Sequence, residues 1–383
     1  MSFTSQLRIP GPTPLPERVV RSMSRPMIDH RGPEFAAILA EITAGAKRVF
    51  KTDNDLLLLT CSGTGGLESA IANLVSPGDE VIAAVCGNFG ERFAALAAGY
   101  GADVTRLEVE WGQPVDAEDL AVVVARHPQA KVVLVTHNET STGLTNPLRE
   151  LARVAHDAGR VVVVDGVSSI SSIPIDADAW GVDVAVSGSQ KGWMAPPGIA
   201  LVSVSDRAWE LQAEARSPRF YFDWKEIKVW AEKGMTPFTP AISVLYALQE
   251  GLHMLEEEGL DNVYDRHERL ARATQAGLVA LGFRLFAQDG FRSHTVTGAV
   301  TPAELDVAAF RKLLDEKYGV VIGGGQGRMT GKMVRVGHLG AVAEGDVIQV
   351  LWAMEQALEE LDIAPADGRS VTAATSTLQG IPA

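Results

Sequence analysis

Cysteine is almost missing from this chain of 383 residues: there are two, Cys61 and Cys86. A pair in apolar surroundings cannot build a disulfide framework, and both read as ordinary buried thiols. A cationic excess is missing as well. Lysine and arginine number 34 against 48 aspartates and glutamates, a formal net charge of −14. Such a chain repels phosphate backbones, and no Lys/Arg-rich stretch offers a local exception, so no nucleic-acid partner is expected. Long apolar runs are absent too; stretches such as 161–164 fall far short of a bilayer span. Residues 1–8 lack a basic region followed by an apolar run, so no secretory signal is visible. The expected protein is cytoplasmic and makes no membrane contact. The eight histidines are scattered without ligand spacing, which argues against a metal. No G-x-S-x-G elbow is present, so an α/β-hydrolase is disfavoured.

What is present is an alternation. Short β-branched runs at 56–59, 80–85, 104–109, 131–136, 160–164, 182–186 and 199–204 read as strands. Their near-continuous apolar character suits strands buried on both faces, as in a mostly parallel sheet. Helical patterns at 66–75, 91–100, 116–126 and 147–158 lie between them. This order predicts a doubly wound α/β domain over 21–208, preceded by an N-terminal arm, 1–20. Two long helices follow within 239–281, and part of the 209–260 region is expected to pack on the large domain. Strand and helix signals then give a smaller α+β domain over 261–362. The tail, 363–383, is rich in Ala, Thr and Ser without periodicity and is expected to be mobile.

In an open α/β sheet, ligands sit at the carboxyl ends of the strands, so the residues following each strand carry the functional information. After 56–59 comes Thr60-Cys61-Ser62-Gly63-Thr64-Gly65-Gly66, opening into a helix. Small residues and a helix N-terminus there suit an anion, although a tight turn with a good cap explains them equally well. The segment is not a dinucleotide fingerprint, since the last glycine or alanine of GxGxxG/A is missing. The strand 160–164 delivers Asp165, and a carboxylate there is costly unless a cation meets it. The strand 182–186 leads to Ser187-Gly188-Ser189-Gln190-Lys191, a lysine among small and apolar neighbours. Burial disfavours the ammonium and leaves a nucleophilic amine. Pyridoxal phosphate needs such a lysine, a phosphate cradle and an acid near its pyridine nitrogen.

Together these motifs resemble the class V aminotransferases of PLP fold type I, and within them the alanine–glyoxylate and serine–glyoxylate group. Further matches are Pro10-Gly11-Pro12-Thr13-Pro14, Gly87-Asn88-Phe89-Gly90-Glu91-Arg92, Thr136-His137-Asn138-Glu139-Thr140-Ser141-Thr142-Gly143, Thr236-Pro237-Phe238-Thr239-Pro240 and Val334-Arg335-Val336-Gly337-His338. The resemblance implies that Lys191 is the Schiff-base lysine and that Asp165 holds the pyridine nitrogen protonated. By the same resemblance Phe89 stacks on the ring, Thr140 lies near it, and Thr64, Gly65, Gly66, Gln190 and Thr239 bind the phosphate. The threonine matching Thr239 comes from the neighbouring subunit in this family, which implies a homodimer with shared sites. Arg335 matches the residue that holds the substrate α-carboxylate. Its planar fork in an apolar run suits that task, although an internal ion pair is the alternative.

The implied reaction transfers the amino group of alanine or serine to glyoxylate, giving glycine and a 2-oxo acid. A cysteine desulfurase needs a nucleophilic cysteine late in the chain, and none follows Cys86. A non-transaminase partner subunit, like the small subunit associated with a soluble hydrogenase, is the alternative from another class. The glycine-rich 323–328 departs from the P-loop pattern at Gln326 and Met333 and reads as a flexible loop near the substrate.

Overall fold

A computed structural model describes residues 6–380. Its larger sheet has seven strands in the order Asp55–Leu59, Ala200–Val204, Val184–Gly188, Val161–Asp165, Val132–Thr136, Glu80–Val85, Asp103–Glu108. Ala200–Val204 runs antiparallel to both neighbours; the remaining pairings are parallel. The mostly parallel, doubly wound α/β arrangement expected of the large domain is therefore present. The central strands read as unbroken Val/Ala runs because both faces are covered. One apolar cluster, including Ile42, Val133, Val164 and Leu248, fills one side, and another, including Leu67, Val163, Val186 and Trp224, fills the other.

The second sheet takes the order Gln6–Arg8, Val320–Gly324, Met333–Gly337, Val296–Val300, Arg284–Leu285. Helices Leu260–Ala280, Val307–Tyr318 and Glu344–Glu360 enclose its own core around Phe310, Val334 and Leu351. Within the N-terminal arm, Gln6–Arg8 is thus an edge strand of this sheet. Gln6 to Arg8 pair in parallel with Val320 to Ile322, and Arg8 meets Asp346 at 2.6 Å.

The tail differs from the mobile segment expected of it. Arg369–Leu378 forms a helix that buries Ser370 and Ala374, with Ser370 Oγ donating to Glu355 Oε2 at 2.9 Å. Small side chains let this helix lie close against Leu260–Ala280 and Glu344–Glu360, a tertiary effect that composition does not register. Residues 1–5 of the arm and 381–383 of the tail lie outside the described residues.

One strained residue sits beside the lysine turn. Ser171 is fully buried at φ 77°, and its hydroxyl has no hydrogen-bond partner among the described residues. Both features are costs that glycine removes. Ser171→Gly is expected to stabilise the protein by about 1 kcal/mol, after allowing for glycine's larger unfolded-state entropy. Urea unfolding with an unchanged slope and a higher midpoint is the expected result; a lower midpoint would mean the hydroxyl is satisfied.

Candidate active site

Five neighbouring parallel strands end on one edge of the large sheet, and four of them lead to residues singled out above. Val161–Asp165 carries Asp165 on its last position, buried along its whole length. The Asp165 carboxylate accepts the Val167 N–H at 3.0 Å, but burial dominates and pushes its pKa up to about 6, against the opposing charges of Lys191 and Arg92. Val184–Gly188 leads into the lysine turn, which is fixed by Ser189 Oγ donating to the Pro196 carbonyl at 2.6 Å and Trp193 Nε1 donating to Ser187 Oγ at 2.8 Å.

Lys191 is pinned from the other side by the N-terminal arm. Its Nζ donates to the Pro10 carbonyl at 2.5 Å, and Thr13 closes the turn by donating its N–H to the Gln190 carbonyl and its Oγ1 to the Lys191 carbonyl. Gly11 is glycine for a steric reason: a Cβ there would stand 2.5 Å from Nζ, at a φ of +131° that side chains rarely adopt. Enclosure pushes the Lys191 ammonium down to about 8; Asp165 opposes the shift and Arg335 adds to it. Lys191, Asp165 and Arg335 therefore share one electrostatic neighbourhood.

The helix Gly63–Leu74 begins beside this turn. Ser62 caps it, accepting the Gly65 N–H at 3.4 Å, and the first-turn N–H groups have no intrahelical acceptor. Gly65 and Gly66 were read from sequence as places where backbone approaches an anion, and each also has a packing reason. A Cβ on Gly66 would meet Val186 Cγ1 at 2.7 Å and the Ala200 Cβ at 2.9 Å; one on Gly65 would meet the Cys61 Sγ at 2.9 Å. Gln190 points toward the same helix start, since a Cβ on Gly188 would meet Gln190 Oε1 at 2.9 Å and the Gly63 Cα at 3.5 Å. That Gln190 oxygen is buried without a partner among the described residues. Thr64 lies in the open first turn of the same helix.

Phe89 opens the helix Asn88–Gly99 after Glu80–Val85, with the Arg92 guanidinium 4.9 Å from its ring centroid. What holds it was not anticipated. Glu139, fully buried, accepts the Phe89 N–H at 3.0 Å and the Gly90 N–H at 3.1 Å, and is itself braced by Ser141. A carboxylate at a helix N-terminus is favourable there, and these bonds offset part of the cost of burial, which still holds the carboxyl above its ordinary pKa. Asn138-Glu139-Thr140 lies within a stretch matched to the family above, but the resemblance assigns Glu139 no role; all three residues are buried. Thr140 contributes its main-chain carbonyl, which accepts from Arg335 Nη1 at 3.1 Å.

Arg335 is buried in Met333–Gly337, and burial pushes its pKa down to about 10. Its Nε donates to the Gly324 carbonyl at 2.7 Å. Among the described residues no carboxylate bonds it, so the internal ion pair is not realised. Thr239 is placed elsewhere. It is exposed on the single chain, on the segment before Ile242–Glu258, and lines a groove with Leu58, Thr60, Tyr221 and Phe238.

The donor set fits pyridoxal phosphate. A buried amine of depressed pKa, a buried carboxyl facing it, an aromatic ring and a helix start with an unpartnered amide oxygen beside it converge on one strand edge. No helix among the described residues is long and apolar enough to cross a membrane, and no group of three or more acidic, His or Cys side chains there offers a metal site.

The chain is 40% identical to a soluble hydrogenase small subunit from Synechococcus sp. (strain PCC 6716), covering 99% of each. It is 37% identical to a serine–glyoxylate aminotransferase from Methylorubrum extorquens, covering 99% of this chain and 97% of that protein. The crystal structure of an alanine–glyoxylate aminotransferase from Nostoc sp. superposes with a TM-score of 0.90 at 32% identity, covering 94% and 96% of the two chains. The family model described as aminotransferase class-V matches residues 7–343, and the chain belongs to that PLP-dependent family.

Proposed function

We propose that this aminotransferase moves the amino group of a small L-amino acid, alanine or serine, to glyoxylate, releasing glycine and a 2-oxo acid. The observation that carries the reading is Arg335: a buried, carboxylate-free guanidinium facing a lysine of depressed pKa. Both substrates bring a carboxylate next to the reacting carbon, and a planar fork suits it. Relatives named for glyoxylate support the acceptor.

The bound cofactor supplies an electron sink for the charge left on the donor's α-carbon. Thr64, Gly65, Gly66 and Gln190 would hold its phosphate, and Phe89, held by Glu139, its ring. Asp165 would hold a proton on the ring nitrogen. Lys191 would be the amine that holds the cofactor, and its Nζ, once freed by the donor, would be the base that takes the α-proton. A pKa of about 8 keeps that amine close to the working pH, which suits both directions of transfer.

The shared homodimeric site belongs to this reading too. Phe220 is 80% exposed, and Tyr221 stacks on Phe238 at 5.0 Å, leaving an aromatic face beside Thr239 that one chain alone does not cover. The hydrogenase-associated name of one relative is the second reading, and an intact Lys191–Asp165–Arg335 neighbourhood favours catalysis over a purely structural part.

The test is a panel of alanine, serine and aspartate with glyoxylate as acceptor, following glycine. Turnover with alanine or serine is expected; none with any donor would defeat the reading. Arg335→Lys keeps the charge but loses the second hydrogen bond. It should weaken amino acid and glyoxylate alike by roughly ten- to a hundredfold, the worth of one charge-assisted bond, while cofactor occupancy stays constant. A simple amine without a carboxylate should be indifferent. Equal losses for the amine would make Arg335 structural.

A further inference from the structure

The Arg335 fork is partly taken. Two of its bonds go to main-chain carbonyls, Nε to Gly324 and Nη1 to Thr140, and these set the plane of the guanidinium. The third is to a side chain: the Gln326 Oε1 lies 3.4 Å from Nη1. Nη2 bonds no acceptor among the described residues. A carboxylate that approaches end-on must take Nη2 and share Nη1 with the amide already there. Carbonyl oxygen and carboxylate oxygen are both acceptors, so they repel each other and the amide has to give way.

Gln326 sits on the turn joining Val320–Gly324 to Met333–Gly337, and that turn is built to hold it. Gly325 donates its N–H to the Met333 carbonyl at 2.9 Å, and the Gln326 carbonyl accepts the Met329 N–H at 3.0 Å. Two residues on, Arg328 reaches the large domain, 3.3 Å from Glu91 on the helix that carries Phe89 and 5.2 Å from the Trp111 ring centroid. The segment is thus an ordered turn tethered across the site, where sequence suggested a flexible loop.

We infer that Gln326 is a specificity-determining residue whose amide oxygen holds the place of the substrate carboxylate on Arg335, so that each carboxylate substrate binds by displacing it. This rests on the reading of Arg335 as the carboxylate clamp. The bond displaced is long and has one charged partner, and the one gained joins two opposite charges, so the exchange favours the carboxylate while lowering its net affinity. The arrangement discriminates against weak, neutral occupants of the fork, which cannot repay the displacement.

The experiment uses the cofactor-loaded enzyme and two substitutions of opposite expected sign. Gln326→Ala removes the competitor and should tighten acetate, measured by calorimetry, by roughly two- to tenfold, since a bond as long as 3.4 Å is worth less than a short charge-assisted one. The KM values for alanine and glyoxylate should fall in parallel. Gln326→Glu places a charged competitor on the fork and should weaken the same three ligands by roughly ten- to a hundredfold. A carboxylate-free amine should show neither change, which a general disturbance of the turn would not reproduce. Weaker acetate binding in Gln326→Ala would make the amide a direct ligand and overturn the inference, as would affinity unchanged in both variants. If wild-type acetate binding is lost in Arg335→Lys yet no donor yields glycine, the transaminase reading fails while the displacement result still stands or falls by calorimetry.

Discussion

Lys191→Ala is expected to abolish transamination while leaving a folded protein. The lysine turn is held by Ser189, Trp193 and Thr13 through bonds that do not involve Nζ, apart from the single donation to the Pro10 carbonyl. Removing a buried ammonium whose pKa is already pushed down to about 8 relieves a desolvation cost, so stability should not suffer. Catalysis loses both the covalent anchor and the group that moves the α-proton. Positioned acid–base catalysis alone contributes about 10²- to 10⁴-fold, and the anchor adds to it, so the loss should reach at least the upper end. A small exogenous amine diffusing into the vacated space should restore a measurable fraction of proton transfer. Turnover within tenfold of wild type would remove Lys191 from the chemistry.

Asp165→Asn should act in opposite directions on rate and on stability. With the cofactor bound, losing the carboxylate lets the ring nitrogen lose its proton, and turnover should fall by orders of magnitude. Without the cofactor, Asp165 is a liability, since burial pushes its pKa up to about 6. The unfolded value is about 4, so between roughly pH 4 and 6 the folded chain retains a proton that the unfolded chain has released. Stability therefore falls as pH rises through that window, and the cost above it is about 3 kcal/mol. The cofactor-free variant should melt above wild type at pH 7.5 and close to it at pH 4. Near-normal activity in the loaded variant would reduce Asp165 to a cap for the Val167 N–H.

The strand-end reasoning has a structural basis: a parallel sheet puts consecutive carboxyl ends on one edge, and Asp165 closes one strand while Lys191 follows its direct neighbour. Local patterns also located the long helices Ile242–Glu258 and Leu260–Ala280. What escaped depends on partners far away in sequence. The helix Pro33–Phe50 has no counterpart among the elements expected from sequence, although Phe35, Ile38, Leu39, Ile42, Ala46 and Val49 recur at helical spacing behind a proline start. Gln6–Arg8 is too short to announce a strand, and its pairing with Val320 to Ile322 is a long-range event. The Pro10 carbonyl on Lys191 follows from that pairing and was equally invisible. Glu139 was hidden for a different reason: its bonds go to main-chain N–H groups, which leave no residue-type signature at the other end. Gly66 shows the converse, a glycine noticed for one purpose whose closest neighbours, Val186 and Ala200, give it another.

The central claim is that the amine of Lys191 carries the cofactor, and reductive trapping tests it most directly. The yellow protein is treated with borohydride, digested, and the modified peptide identified by mass spectrometry. Bleaching with a pyridoxyl group on Lys191 alone is the predicted result. A label on any other lysine, or bound cofactor that borohydride leaves unattached, would contradict the account.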